Sequence, residues 1–242
     1  MPLTHSVILI TGAASGLGRS AALALAKQGA HIILLDRDLA KLEQTYDAIV
    51  AAHGPEPILY PFDLAGANED QYQELADKIL EKYGSLQGLL HSAADFSAFT
   101  PIAQTSTKIW LQSMHVNLNA AFLLTRVLLP VLQNSSHASV VFTSDSAVKT
   151  PKAYASAYGV AKIALAGLAG ILAEELEAAG KVRVNMLVPG PVDSPIRKKA
   201  YPGEDKTKLP KPDDLASVYQ YLFGAASIGV TGQTIEARTF HL

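Results

Sequence analysis

The run VILITGAASGLG, residues 7–18, decides the fold. Its first part, Val7–Thr11, is an uninterrupted apolar run, the pattern of a strand buried on both faces and therefore of a parallel sheet. Its second part, Thr11–Gly18, spaces three glycines as G-x3-G-x-G and leads straight into a helical pattern. Gly12, Gly16 and Gly18 allow a tight turn and close backbone approach to a pyrophosphate. The free N–H groups and positive dipole end of the following helix would then hold that group. A glycine loop alone also suits a ligand-free turn. The next apolar run, Ile32–Asp36, ends in an acid eighteen residues after Gly18, where a carboxylate can bind a ribose 2′-hydroxyl. Strand, glycines, helix, strand and acid in this order make a dinucleotide site the expectation.

Outward from this unit the alternation continues. Ser139–Thr143 and Val182–Val188 are further apolar runs, and Pro57–Asp63 and Gln87–Ser92 are weaker strand candidates. Helices are expected at Leu17–Gln28 before Gly29, at Leu39–Ala52, and from Asn68, boxed with Gln71, to Tyr83 before Gly84. Lys108–Leu132 is expected as one helix or two, disturbed at Pro130, and Ala153–Ala179 as another, stopped by Gly180. Such alternation implies right-handed βαβ crossovers. The expected fold class is α/β, a single Rossmann-type doubly wound parallel sheet with helices on both faces. Residues 1–242 are expected to form one dinucleotide-binding and catalytic domain, with the proline- and lysine-rich segment 189–212 as a substrate lid within it.

Composition narrows the function classes. The chain is 49% hydrophobic and 17% charged with a formal net charge of −2, so it lacks the Lys and Arg excess of a nucleic-acid or anionic-membrane surface. Without cysteine there is no disulfide or thiolate metal site, and no two histidines stand four apart, so no metal is expected. The residues before Val7 are too few for a secretory signal, and no apolar run approaches the ~20 residues of a membrane helix. A soluble cytoplasmic protein is the expectation.

With these features in place, the chain resembles the short-chain dehydrogenase/reductase family. TGAASGLG matches the family's TGxxxGxG cofactor motif, and Tyr158-x3-Lys162 matches its YxxxK active-site motif. Asn117, within VNL, matches its catalytic asparagine, and PGPVDS (Pro189–Ser194) its PG motif after the sixth strand. Asp63 of PFDL stands where the family contacts adenine. The resemblance covers nearly the whole chain in the right order. It implies cofactor contacts from Gly12, Ser15, Gly16, Leu17, Gly18, Asp36, Arg37, Asp63, Leu64, Ser92, Ala93, Tyr158, Lys162, Pro189, Val192 and Ser194. It also implies hydride transfer between a nicotinamide cofactor and a small-molecule alcohol or carbonyl substrate. Tyr158 and Lys162, four apart, share one helix face. An adjacent ammonium favours the phenolate and draws a phenol pKa of about 10 toward neutrality. Tyr158 could then exchange a proton with substrate as hydride moves. The family's lysine also binds the nicotinamide ribose, and its asparagine holds a water in a proton relay. Those roles are implied for Lys162 and Asn117.

Two departures stand out. Thirteen residues before the tyrosine the family has a serine that donates to the substrate carbonyl; here that position is Asp145, flanked by Ser144 and Ser146. An ionised carboxylate cannot donate, and its charge raises a neighbouring phenol's pKa. Three outcomes are open: a protonated Asp145 acting as donor, a one-residue slip through a bulge, or impaired carbonyl chemistry. A slip brings Ser146 (or Ser144) into the role, and Ser146 is preferred. The second departure is HSAA (His91–Ala94) where the family usually has NNAG. Ala94 adds a methyl beside the cofactor, and His91 is expected to be a structural hydrogen-bonder.

NAD is expected over NADP, because Asp36 would repel a 2′-phosphate and Ala14 and Ser15 are not basic, although Arg37 could bind that phosphate. Six basic residues between Arg197 and Lys211 suit either a solvated loop or steering of an anionic substrate. The two apolar helices imply, by the resemblance, a homodimer or homotetramer. The leading expectation is an NAD(P)-dependent oxidoreductase. The alternative is a nucleotide-binding regulator or sensor with a degraded catalytic site, which Asp145 and Ala94 would support.

Overall fold

The computed structural model describes residues 3–146 and 149–241. Seven strands form one sheet: β1 (Val7–Thr11), β2 (His31–Asp36), β3 (Ile58–Pro61), β4 (Gly88–His91), β5 (Ala138–Thr143), β6 (Val182–Val188) and β7 (Thr234–Glu236). Their order is β3-β2-β1-β4-β5-β6-β7 and every neighbouring pair is parallel. The helices among the described residues are α1 (Gly16–Ala26), α2 (Leu39–Ala51), α3 (Glu69–Tyr83), α4 (Thr107–Met114), α5 (Ala120–Gln133), α6 (Ser156–Glu177), α7 (Pro195–Ala200) and α8 (Ala216–Phe223).

The continuous apolar strands are explained by cores on both faces of the sheet. Period-two alternation sends Leu9, Ile33, Leu35, Val140 and Phe142 into a core shared with α3, α5 and α6. Ile8, Ile10, Ile32, Leu34 and Val141 enter the opposite core with α1, α2 and α8. The capping box at Asn68 and Gln71 starts α3 as expected, and Gly84 ends it with a φ of 70°. Because the chain runs β1-β2-β3 to one side and resumes at β4 on the other, the C-terminal ends of β1 and β4 open a crevice, the usual place for a ligand in such sheets.

Several expectations change. The helical stretch after residue 107 is not disturbed at Pro130, which sits near the end of α5 and forgoes only one backbone bond; Asn134 N–H still donates to the Pro130 carbonyl. The break lies at a π turn, His115–Asn119, between α4 and α5. The helix expected from Ala153 begins only at Ser156, after Tyr154 adopts a φ of 69°. Segment 189–212 is not one loop: Ser194 caps and Pro195 opens α7, and a 3-10 turn covers Lys206–Lys208. The three-residue β7 is too short for alternation to reveal.

Candidate active site

The crevice between β1 and β4 continues into a groove of about 330 Å³ lined by the glycine loop, Asp36, Arg37, Asp63, Leu64, Ser92, Ala93 and Ser194. Its geometry leaves no room for side chains where the sequence has glycine. A Cβ on Gly12, whose φ is 70°, would lie 2.8 Å from the Ala93 backbone, and one on Gly18 only 2.3 Å from the Gly12 carbonyl oxygen. Thr11 fastens the two strand ends, its Oγ1 accepting from the N–H groups of Ser92 (3.0 Å) and Ala93 (3.1 Å). Ser15, at the N-cap of α1, makes no side-chain capping bond, so the first-turn amides remain for an anion. The buried hydroxyls of Ser92 and Thr143 have no protein partner. A glycine cradle, an uncapped helix start and orphaned hydroxyls fit a dinucleotide with a polar nicotinamide end.

At the far rim, Asp36 accepts from the Ala14 N–H (3.4 Å) and the Asp38 N–H (3.1 Å), so its oxygens already have backbone donors. Arg37 and Lys41 line the same rim, Lys41 being paired with Asp38 at 2.6 Å. Asp63 accepts from the Ala65 N–H at 3.0 Å, which holds its loop against the groove.

The groove opens at Leu17, Ser92, Ala94 and Ser194 into a second cavity of about 120 Å³ that reaches Asp145, Ser146, Tyr158, Lys162, Pro189 and Val192. α6 carries Tyr158 and Lys162 on one face, with Lys162 Nζ 5.8 Å from the phenol ring centre. Lys162 is buried and donates to the Thr143 carbonyl at 2.8 Å. Burial pulls its ammonium down to about 8, while the Asp145 charge acts in the opposite direction. Burial, then Asp145, then Tyr201 push the Tyr158 phenol well above its ordinary 10. The shift is thus opposite to the lowering expected from Lys162, and Tyr158 keeps its proton through the neutral range.

Asn117, turned inward by the π turn, is buried. Its Oδ1 accepts from the Asp95 N–H (3.0 Å), and its Nδ2 donates to the carbonyls of Asp95 and Ser113, both at 2.8 Å. It thus ties the loop after β4 to the π turn. Asn117, Lys162 and His91 border one small cavity of about 10 Å³. His91 stacks on Phe142, bonds Thr125 Oγ1 through Nε2 at 2.8 Å, and is driven by burial, and by the Lys162 charge, down to about 3. It is a neutral structural hydrogen-bonder.

No bulge in β5 shifts the chain toward Ser146. β5 and β6 pair without a bulge through Thr143↔Leu187, and the Ser144 N–H extends the ladder to the Leu187 carbonyl at 2.8 Å. Ser144 is buried with its hydroxyl toward the Lys162 carbonyl (3.4 Å). Ser146 is exposed and donates to Asp145 Oδ1 at 3.3 Å. Asp145 is the member of the three whose charge acts on both Tyr158 and Lys162.

Several lining residues escaped the sequence reading. Thr143 was visible only as a strand end, and Thr11 only as the first residue of the glycine motif. Phe96 and Phe99 follow β4, and Tyr201 follows α7; no motif marks them. Four of the six lid cations are engaged locally. Arg197 makes two bonds to Glu204 at 2.6 and 2.5 Å, Lys198 meets Asp193 at 3.2 Å, Lys199 donates to the Phe96 carbonyl at 2.7 Å, and Lys208 meets Asp205 at 3.4 Å.

The family model described as short chain dehydrogenase matches residues 6–205. The chain is 37% identical to the "uncharacterized oxidoreductase YciK" of Escherichia coli K12, over 98% of this chain and 93% of that protein. A short chain dehydrogenase structure from Pseudomonas syringae is 42% identical with a TM-score of 0.93, covering 97% of this chain and 96% of that one. Another, from Shigella flexneri and complexed with NADP, is 36% identical with a TM-score of 0.94, covering 97% and 98%.

Proposed function

The chain belongs to the short-chain dehydrogenase/reductase family and is a nicotinamide-dependent oxidoreductase, and from that premise we propose that it reduces a carbonyl substrate with Tyr158 as the proton donor. The reading as a degraded regulator is not favoured. The observation that carries the proposal is the continuity of the glycine-loop groove with the cavity holding Tyr158 and Lys162. When bound, the reduced nicotinamide supplies the hydride. Tyr158, kept neutral by burial and by Asp145, gives its phenolic proton to the carbonyl oxygen as charge develops there. Lys162, in its buried place beside the ring, stabilises the phenolate left behind. Asn117 holds the loop after β4, and with it Asp95 and Ala94, against the groove. Asp145 stands in the serine's place and favours the protonated phenol, which suits reduction more than oxidation. Segment 189–212 is the lid, with Pro189, Val192 and Ser194 closing on the nicotinamide side.

For the cofactor we favour NADP(H) over the NAD expected at first. The NADP-bound relative does not favour NAD, the Asp36 carboxylate is already met by two backbone N–H groups, and Arg37 and Lys41 line the rim where a 2′-phosphate would sit. Exposed apolar side chains on α4, α5 and α6 (Leu111, Phe122, Ile163, Ile171) support a homo-oligomer through those helices.

The test is to follow reduced-cofactor absorbance with NADPH or NADH against a panel of aldehydes and ketones, alongside calorimetric affinities. NADPH is expected to bind more tightly, with Arg37→Ala removing about tenfold of that affinity and leaving NADH unchanged. Tighter NADH binding would reverse the cofactor choice. Binding of either cofactor without turnover, rescued or not by Asp145→Ser, would remove the wild-type protein from carbonyl reduction.

A further inference from the structure

Resting on that catalytic reading, we propose that the substrate is a neutral carbonyl compound whose carbonyl carbon carries an aromatic ring. The cavity beside Tyr158 has a continuous aromatic wall. Phe96 meets the Tyr158 ring edge-on at 5.3 Å and 83°, Phe99 meets Phe96 at 5.2 Å and 72°, and Tyr201 meets Phe99 at 5.3 Å and 65°. All four rings line the cavity, so the wall starts at the reacting phenol and ends at the lid. Phe96 is buried, whereas Phe99 is 37% exposed, an apolar ring left for a ligand to cover. Edge-to-face geometry of this kind extends naturally to one more ring, whose own faces and edges complement those of Phe99 and Tyr201.

The charges argue for a neutral ligand. Arg197 stacks over Tyr201 at 3.7 Å and is spoken for by both oxygens of Glu204, and Lys199 is bonded to the Phe96 carbonyl. Asp145, whose charge acts on the Tyr158 phenol, shares the lining with Lys152 and Lys162, and at the phenol end its carboxylate disfavours an anion. The steering of anionic substrates that the lid's composition suggested is thus not the use of these cations.

The test compares three methyl ketones of equal carbon number, with phenyl, cyclohexyl and straight hexyl groups, for binding to the protein saturated with NADP. The same set is then assayed for reduction with NADPH. Phenyl methyl ketone is expected to bind about tenfold more tightly than the hexyl compound, although the hexyl compound is the more apolar. Phe99→Leu, which keeps apolar bulk and removes the ring, is expected to abolish that preference while leaving NADP affinity intact. Tyr201→Leu repeats the test from the lid side. Equal or reversed affinities in the wild type, or a preference that survives both variants, overturn the proposal. Tighter binding of benzoylformate than of phenyl methyl ketone overturns its neutral part. Ring-selective binding with no reduction of any ketone would sink the catalytic reading and with it the substrate role of the aryl ketone; reduction without ring preference would overturn this proposal alone.

Discussion

Lys162→Met should make the protein more stable while removing its activity. Lys162 is 3% exposed, and burial brings its ammonium from an ordinary 10.5 to about 8. That difference is worth about 3 kcal/mol of destabilisation when the group is charged, at ~1.36 kcal/mol per pKa unit. Methionine removes the charge and keeps most of the volume. It also takes away the hydrogen bond to the Thr143 carbonyl, which offsets about 1 kcal/mol. The net gain at pH 7 is about 2 kcal/mol, or roughly 4–8 °C in Tm for a domain of this size. The pH dependence supplies a sharper check. Because the folded pKa lies below the unfolded one, the unfolded chain binds the extra proton between about pH 8 and 10.5, so wild-type stability rises with pH across that window. The variant lacks this group, and its advantage should shrink over the same window. Urea unfolding of both proteins at a series of pH values reads the difference, and titrating groups remote from Lys162 cancel. A Met variant less stable than wild type at pH 7, or a gap that stays constant to pH 10.5, would refute the reasoning.

Asp145→Asn removes a charge that raises the Tyr158 phenol, so the alkaline fall in kcat for carbonyl reduction should move to lower pH; an unmoved profile would deny the electrostatic contact. Gly18→Ala places a methyl 2.3 Å from the Gly12 carbonyl oxygen and must displace the loop, which should weaken both nicotinamide cofactors by at least about tenfold in calorimetry with circular dichroism unchanged. Arg183 is buried and donates to the Ser227 hydroxyl and to the carbonyls of Ala138, Leu222 and Gly224, so Arg183→Met should cost about 2–4 kcal/mol in urea unfolding without altering cofactor affinity.

Much of this architecture was legible in advance because local rules sufficed. Continuous apolar runs can only be satisfied by a sheet covered on both faces, and four of the seven strands were visible that way, with two more as weaker candidates. The glycine spacing carried the groove, since a Cβ at Gly12 or Gly18 would meet backbone within 3 Å. Less was legible where neighbours come from distant segments. Pro130 looked like the breaker of its helix, yet the distortion falls at His115–Asn119, where the π turn delivers Asn117 to the loop after β4. The seryl flanks of Asp145 invited a slip, but the β5–β6 ladder runs without a bulge through Thr143 and Ser144.

The sequence alone determined the βαβ order, the dinucleotide groove and the pairing of Tyr158 with Lys162, because strand period, glycine sterics and a helical spacing of four are properties of short stretches. Tertiary structure decided the state and reach of that pair. The Tyr158 proton is held by burial and by Asp145, and the substrate side is walled by Phe96, Phe99 and Tyr201. Desolvation and ring contacts depend on what the rest of the chain brings to a point, and residues separated by most of a domain carry no local mark of meeting there.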